Sequence, residues 1–142
     1  MTLKVLKLIE NAYLPVRANP TDAGADLISP VDIVVPAKGH VFIGFGIAIE
    51  LSENTVGLIF ARSGLGSNFG ITPRNAVGVI DCKYRNEIGM MVKNDSDKDH
   101  FIFAGERIAQ LVILPVFTPE IYEVNELDMT GDRKGGFGST GK

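Results

Sequence analysis

Asp81 and Tyr84 stand three residues apart in Val77-Gly78-Val79-Ile80-Asp81-Cys82-Lys83-Tyr84, between two apolar runs. A carboxylate at a rigid turn suits a general base that faces a pocket, and a nearby phenol ring offers a flat wall for a sugar or base. The flanking runs, 77–80 and 88–92, predict a hairpin; the same residues also suit a hairpin whose turn aspartate is merely exposed. Ala61-Arg62-Ser63-Gly64-Leu65 follows the apolar run 56–60. A guanidinium, a hydroxyl and a glycine at a strand's end make a phosphate cradle, or an ordinary loop. Gln110 lies in Gly105-Glu106-Arg107-Ile108-Ala109-Gln110-Leu111, where so apolar a strand obliges its amide to face solvent or meet a ligand. Asp26, in Ala23-Gly24-Ala25-Asp26-Leu27, reads by itself as a solvated turn aspartate. Residues 131–142 hold five of the sixteen glycines and one aromatic, Phe137. That composition suits either a disordered end or a mobile segment that closes over a ligand and lays a ring on it.

Other chemistries are excluded by what surrounds their signatures. Gly136-Phe137-Gly138-Ser139-Thr140-Gly141-Lys142 matches the opening of a phosphate-binding loop, but the Ser/Thr and the helix that must follow are missing. His40 and His100 are sixty residues apart beside a single cysteine, Cys82, which makes no zinc cluster. Ala61-Arg62-Ser63-Gly64 lacks the first glycine of a serine hydrolase elbow. A formal charge of −3 gives no basic footprint for a nucleic acid, while a small phosphorylated ligand stays open, held by a few arginines and backbone N–H groups.

The elements that must position these residues are short strands. A chain of 142 residues, 45% hydrophobic and 22% charged, fits one ordered domain. Its sixteen glycines and seven prolines leave almost no place for a long helix. β-rich runs recur at 33–35, 40–51, 56–60, 77–80, 88–92, 101–103, 107–114 and 121–124, which predicts an all-β sandwich, jelly roll or barrel. The spacing has no room for the helical crossovers of a parallel sheet. Residues 3–9 fit a helix or a first strand, and strand agrees with everything that follows. Residues 62–69 hold a loop or one short helix. With one cysteine, no signal peptide, and apolar runs well short of the ~18 to 20 residues of a membrane helix, the expectation is a soluble cytoplasmic protein.

In this order the five segments resemble the five signature motifs of the trimeric dUTPases, the enzymes that convert dUTP to dUMP and pyrophosphate. The resemblance spans residue 23 to the C-terminus. It implies a jelly-roll β domain over residues 1–130 and a mobile motif over 131–142 that closes on the active site. It also implies a homotrimer with each site built from all three chains, Mg²⁺ chelated by the triphosphate, and a role in keeping uracil out of DNA while supplying dUMP for dTMP synthesis. By the same resemblance Asp26 would hold waters on the metal, and Arg62, Ser63 and Gly64 would bind phosphate oxygens. Asn75 and the backbone of Gly78, Val79, Ile80, Asp81, Ile88 and Met90 would read uracil. Asp81 would activate the attacking water, Tyr84 would pack on the deoxyribose, and Gln110 would contact phosphates and metal waters. Arg133, Gly138, Ser139 and Thr140 would grip the γ-phosphate, with Phe137 stacked on uracil.

Two places depart from the family pattern. Cys82 and Lys83 occupy positions where a second acidic residue is common. The fifth motif has Asp132 where its arginine usually stands, so either Arg133 or Lys134 serves the γ-phosphate. A dCTP deaminase of the same architecture and a dUTP-sensing regulatory protein are the alternative readings.

Overall fold

In the computed structural model, which describes residues 2–128 and 130–131, the apolar runs form eleven strands and one helix among those residues. They are β1 (Lys4–Lys7), β2 (Gly24–Ile28), β3 (Ile33–Val35), β4 (His40–Gly44), β5 (Ile47–Glu50), β6 (Thr55–Ala61), α1 (Ser63–Phe69), β7 (Ile71–Pro73), β8 (Gly78–Ile80), β9 (Gly89–Asn94), β10 (His100–Ile102) and β11 (Arg107–Pro115). Every pairing is antiparallel: a four-stranded sheet β2-β11-β6-β8, a three-stranded sheet β4-β9-β7, and the pairs β1-β5 and β10-β3. This is an all-β fold as the runs predict, the jelly roll that the resemblance implies, and α1 is its one short helix among the described residues.

Period-two alternation sorts side chains between the core and the outer face of the four-stranded sheet. Leu27, Ile59, Ala109 and Leu111 turn inward into one core with Ile43, Ile71, Met90 and Val92 from the other sheet, and Ala25 is buried on the same face as Leu27. Gly24, Asp26, Leu58, Phe60, Gln110 and Val112 turn outward. The long run 40–51 divides at Gly46, whose φ of 67° breaks the ladder. At the chain's start, Lys4 Nζ reaches Glu50 Oε1 at 2.8 Å, and that hydrogen bond holds the Glu50 carboxyl below its usual range.

Four expectations change. Gly24, Ala25, Asp26 and Leu27 are strand, within β2, and not a turn, because β11 supplies Asp26 and its neighbours with ladder partners. β7 is a strand the apolar pattern did not announce. Residues 121–124 form none: Ile121 is 95% exposed and has no sheet to join. The runs 78–80 and 88–92 are not each other's hairpin partners. β8 pairs with β6 and β9 with β4 and β7, so the loop between them crosses from one sheet to the other. No helix among the described residues is long and apolar enough to cross a membrane.

Candidate functional site

Three segments distant in sequence meet at one end of the four-stranded sheet. β11 runs between β2 and β6, so Gln110 faces Asp26 on one side and Phe60 on the other. Asp26, Gln110 and Arg62, two residues past Phe60, therefore share the outer face. Arg62 Nε lies 2.9 Å from Asp26 Oδ1, and Arg107 Nη1 lies 3.3 Å from Asp26 Oδ2. The Asp26 side chain keeps only 16% of its exposure, so water screens this double tie less than it would an ordinary surface pair. Arg62 Nη1 also donates to the Arg107 carbonyl at 3.1 Å, and Gln110 Nε2 donates to the Ala61 carbonyl at 2.9 Å. Ser63 and Gly64 follow at the exposed start of α1. A Cβ on Gly64 would touch nothing within 4 Å, so the protein's own packing does not require glycine there. Arg62, Gly64, Leu65, Gly105 and Arg107 line an open groove of about 490 Å³.

Gly24 is different. A Cβ there would lie 2.5 Å from Gln110 Oε1, so its missing side chain is the space the Gln110 amide fills. Gly24→Ala should displace the Gln110 amide and, if this face binds the substrate, lower kcat about tenfold, with the thermal midpoint nearly unchanged. Steady-state kinetics beside a melting curve check this, and an unchanged kcat would separate Gln110 from the chemistry.

The second group lies around β8. This strand has β6 on one side only, so along Gly78–Ile80 the N–H and C=O groups of alternate residues point away from β6 and are open to a ligand edge. Asn75, Gly78 and Met90 share a cavity of about 610 Å³ with Phe42, Ile59 and Arg74. Glycine at 78 permits close approach, since a Cβ would sit 3.2 Å from Ile59 Cβ. Beyond β8 the Tyr84 N–H donates to the Asp81 carbonyl at 3.0 Å, closing the expected Asp-Xaa-Xaa-Tyr turn with Asp81 exposed on it. Ile88 departs from its expected part. Its side chain is in the core, its N–H donates to Ile47 O at 2.9 Å, and its carbonyl accepts the Phe45 N–H at 3.0 Å. It anchors the loop rather than offering a free group.

The chain gathers Asp26, Arg62 and Gln110 at one place and does not bring Asp81 to them. Ile80 faces Gly57 while Arg62 leaves the opposite end of β6. Asp81 thus lies level with Val56, six strand residues or about 20 Å from Arg62. Arg133, Lys134, Phe137, Gly138, Ser139 and Thr140 lie outside the described residues.

Arg107 is the neighbour that sequence reasoning missed. A bulge between Arg107 and Ala109 turns Ile108 into the core and leaves Arg107 on the outer face beside Asp26. That irregularity breaks the alternation that would have announced it; Gly105, at φ 91°, is the one local signal. Arg74 was also missed; it lines the cavity next to Asn75, with Nη1 2.6 Å from His40 Nε2.

The dUTPase family model matches residues 10–141. The chain is 47% identical over 143 residues to the deoxyuridine 5'-triphosphate nucleotidohydrolase of Hydrogenobaculum sp., covering 99% of each. It is 45% identical over 141 residues to that of Clostridium tetani, covering 99% of this chain and 97% of the relative. Among solved structures, the dUTPase of Staphylococcus bacteriophage 80alpha with dUpNHpp is similar with a TM-score of 0.92 and 32% identity over 99% of both chains. A dUTPase from phage phi11 of S. aureus, described for its coordination of a structural Mg(II) ion, gives 0.83 and 30% over 89% of this chain and 98% of that one.

Proposed function

This chain belongs to the dUTPase family and is a dUTP nucleotidohydrolase, and from that premise we propose that it releases pyrophosphate from dUTP with Mg²⁺, using an Asp81-activated water in sites shared between copies of a homotrimer. The observation that carries this reading is the convergence of Asp26, Arg62 and Gln110 on one sheet end.

In this reading Arg62, Ser63, Gly64 and Gln110 hold the phosphate oxygens, and Asp26 with Arg107 fixes the Arg62 fork where charge develops. Asp81 takes a proton from water as its oxygen attacks the α-phosphorus; the bond to the bridging oxygen of the β-phosphate breaks and pyrophosphate leaves. Asn75, Met90 and the open edge of β8 read the pyrimidine, where the exocyclic amine of cytosine would reverse one hydrogen bond. Tyr84 packs on the sugar and excludes a 2′-hydroxyl by collision. Arg133 or Lys134, with Gly138, Ser139 and Thr140, grips the γ-phosphate, and Phe137 covers the base.

The residues fit a metal that arrives on the substrate. Both Asp26 oxygens face guanidiniums, yet a carboxylate keeps further lone pairs for metal-bound waters, and Gln110 adds an amide oxygen. Mg²⁺ bound by the triphosphate would supply charge neutralisation at the phosphates.

Two features support the homotrimer. Leu58, Phe60, Val79, Val112 and Leu114 make the outer face beside the cradle apolar, with Val79 64% exposed. Phe117, Ile121, Tyr122 and Leu127 are exposed in the segment that follows β11. Apolar surface of this extent is expected to be covered by another copy, which would bring a second chain's Asp81 to the cradle. The cytoplasm, where dUTP is met, is the proposed place of action.

Incubation with dUTP and Mg²⁺ should release pyrophosphate, and incubation with dCTP should release no ammonia. Absence of pyrophosphate would sink the reading, and ammonia would favour a deaminase. Removing residues 131–142 should leave the melting curve of the β domain in place and reduce turnover about a hundredfold, since the γ-phosphate grip and the base cover go together. A truncated protein with full turnover would make that segment a loose end. The 80alpha protein is described among phage dUTPases that control transfer of virulence genes. A regulatory role here would appear as a dUTP-dependent pull-down that persists in Asp81→Asn.

A further inference from the structure

Glu87 takes no part in the chemistry above, yet it holds the residue that would face the sugar. The Tyr84 hydroxyl donates to the Glu87 carbonyl at 3.0 Å, and the Glu87 carboxylate accepts the Gly46 N–H through Oε1 at 2.8 Å. The strip it docks on is itself fixed. Gly46 has φ 67°, and a Cβ there would lie 2.5 Å from an Ile9 carbon and 3.0 Å from Ala12 Cβ. A Cβ on Gly44 would collide with Glu87 Oε1, so the missing side chain at 44 is the room the carboxylate occupies. Ile88, the next residue, is stitched to Phe45 and Ile47 on the same strip. On the other side of the turn, Arg85 Nη1 donates to the carbonyls of Cys82 at 2.6 Å and Tyr84 at 3.0 Å.

We propose that Glu87 is a positioning residue for sugar selectivity: docked on the Gly44–Gly46 strip, it helps the Ile88 N–H bond to hold the carbonyl that ties down the Tyr84 hydroxyl, and so keeps in place the ring that excludes a ribose. This rests on the reading in which Tyr84 packs on deoxyribose. Selection by collision works only when the wall does not yield. A hydrogen bond at the far end of a phenol ring restrains its first side-chain torsion, which swings the whole ring; the second turns the ring about an axis through the hydroxyl oxygen and leaves it in place. Tyr84 is 39% exposed, so the hydroxyl tie adds restraint on the side that packing leaves open. With Glu87 undocked, the Ile88 N–H bond to Ile47 O is the remaining direct tie on the peptide that carries the Glu87 carbonyl; the ring then swings more freely, and a 2′-hydroxyl finds room.

The test compares kcat/KM for dUTP and UTP in wild type, Glu87→Ala, Glu87→Gln and Gly44→Ala, with a thermal midpoint for each. Glu87→Ala should cut the dUTP to UTP ratio about tenfold, mainly by admitting UTP, with little change in midpoint. Glu87→Gln keeps an acceptor for the Gly46 N–H and should keep the ratio. Gly44 does not have a positive φ, so alanine fits its backbone, and Gly44→Ala should expel the carboxylate and reproduce the loss without touching Glu87. The double variant Glu87→Ala/Gly44→Ala should lose no more than either single one, because both remove one contact. An unchanged ratio in Glu87→Ala or Gly44→Ala, or equal losses for both substrates, would overturn the proposal while leaving the dUTPase reading in place. If Glu87→Ala fails to fold, Gly44→Ala alone decides. A wild type that accepts UTP as readily as dUTP would overturn both.

Discussion

Asp81→Asn should lower kcat for dUTP by roughly 10²- to 10⁴-fold, the range a lost general base removes, while KM and the melting curve stay close to wild type. The structure makes this a clean substitution. The side chain is exposed on its turn, and it is the Asp81 backbone carbonyl that accepts the Tyr84 N–H at 3.0 Å. Asparagine has the same shape and leaves that turn bond in place, but its amide takes no proton from water. Pyrophosphate release measures the loss, and undiminished binding of dUpNHpp would show that the site is intact. An Asp81→Asn protein that keeps full turnover would move the general base to another group.

Much of this architecture is legible in the sequence where one residue type settles one local choice. The alternation in Thr55–Ala61 and Arg107–Pro115 gives two strands whose inward and outward faces are those observed, apart from the bulge at Arg107. Gly70 ends the short helix with a left-handed φ of 67°, which a glycine after Phe69 allows. The reading fails where a partner distant in the chain decides. Gly24 and Asp26 are poor strand formers and look like a turn until β11 lies beside them. The runs around Asp81 look like one hairpin because they are close in sequence, yet each finds its ladder in a different sheet. The same holds for the site. Residue types mark Arg62, Asp81 and Gln110 as chemical, but the clasp of Arg62 and Arg107 on Asp26 exists only once three segments have met.

Mixing two inactive proteins should restore activity. In the proposed mechanism Arg62→Met removes the phosphate fork and Asp81→Asn removes the base, and each alone should be nearly inactive. Within one chain these positions belong to opposite ends of β6, about 20 Å apart along the strand. A site that draws Asp81 from one copy and Arg62 from its neighbour is whole whenever the first copy is the Arg62→Met protein and the second is the Asp81→Asn protein. Random assembly from equal amounts completes about a quarter of the sites, so co-refolded material should regain about a quarter of wild-type turnover. Asp81→Asn mixed with Tyr84→Ala is the control. Both defects lie on the same loop of the same copy, but a Tyr84→Ala copy still carries its base, so this mixture should show no more than its share of the Tyr84→Ala activity. Recovery in the first mixture and none beyond that share in the second is the signature of a site divided between copies. If neither mixture rises above its parents, Asp81 and Arg62 do not serve one shared site, and the homotrimer reading falls with it.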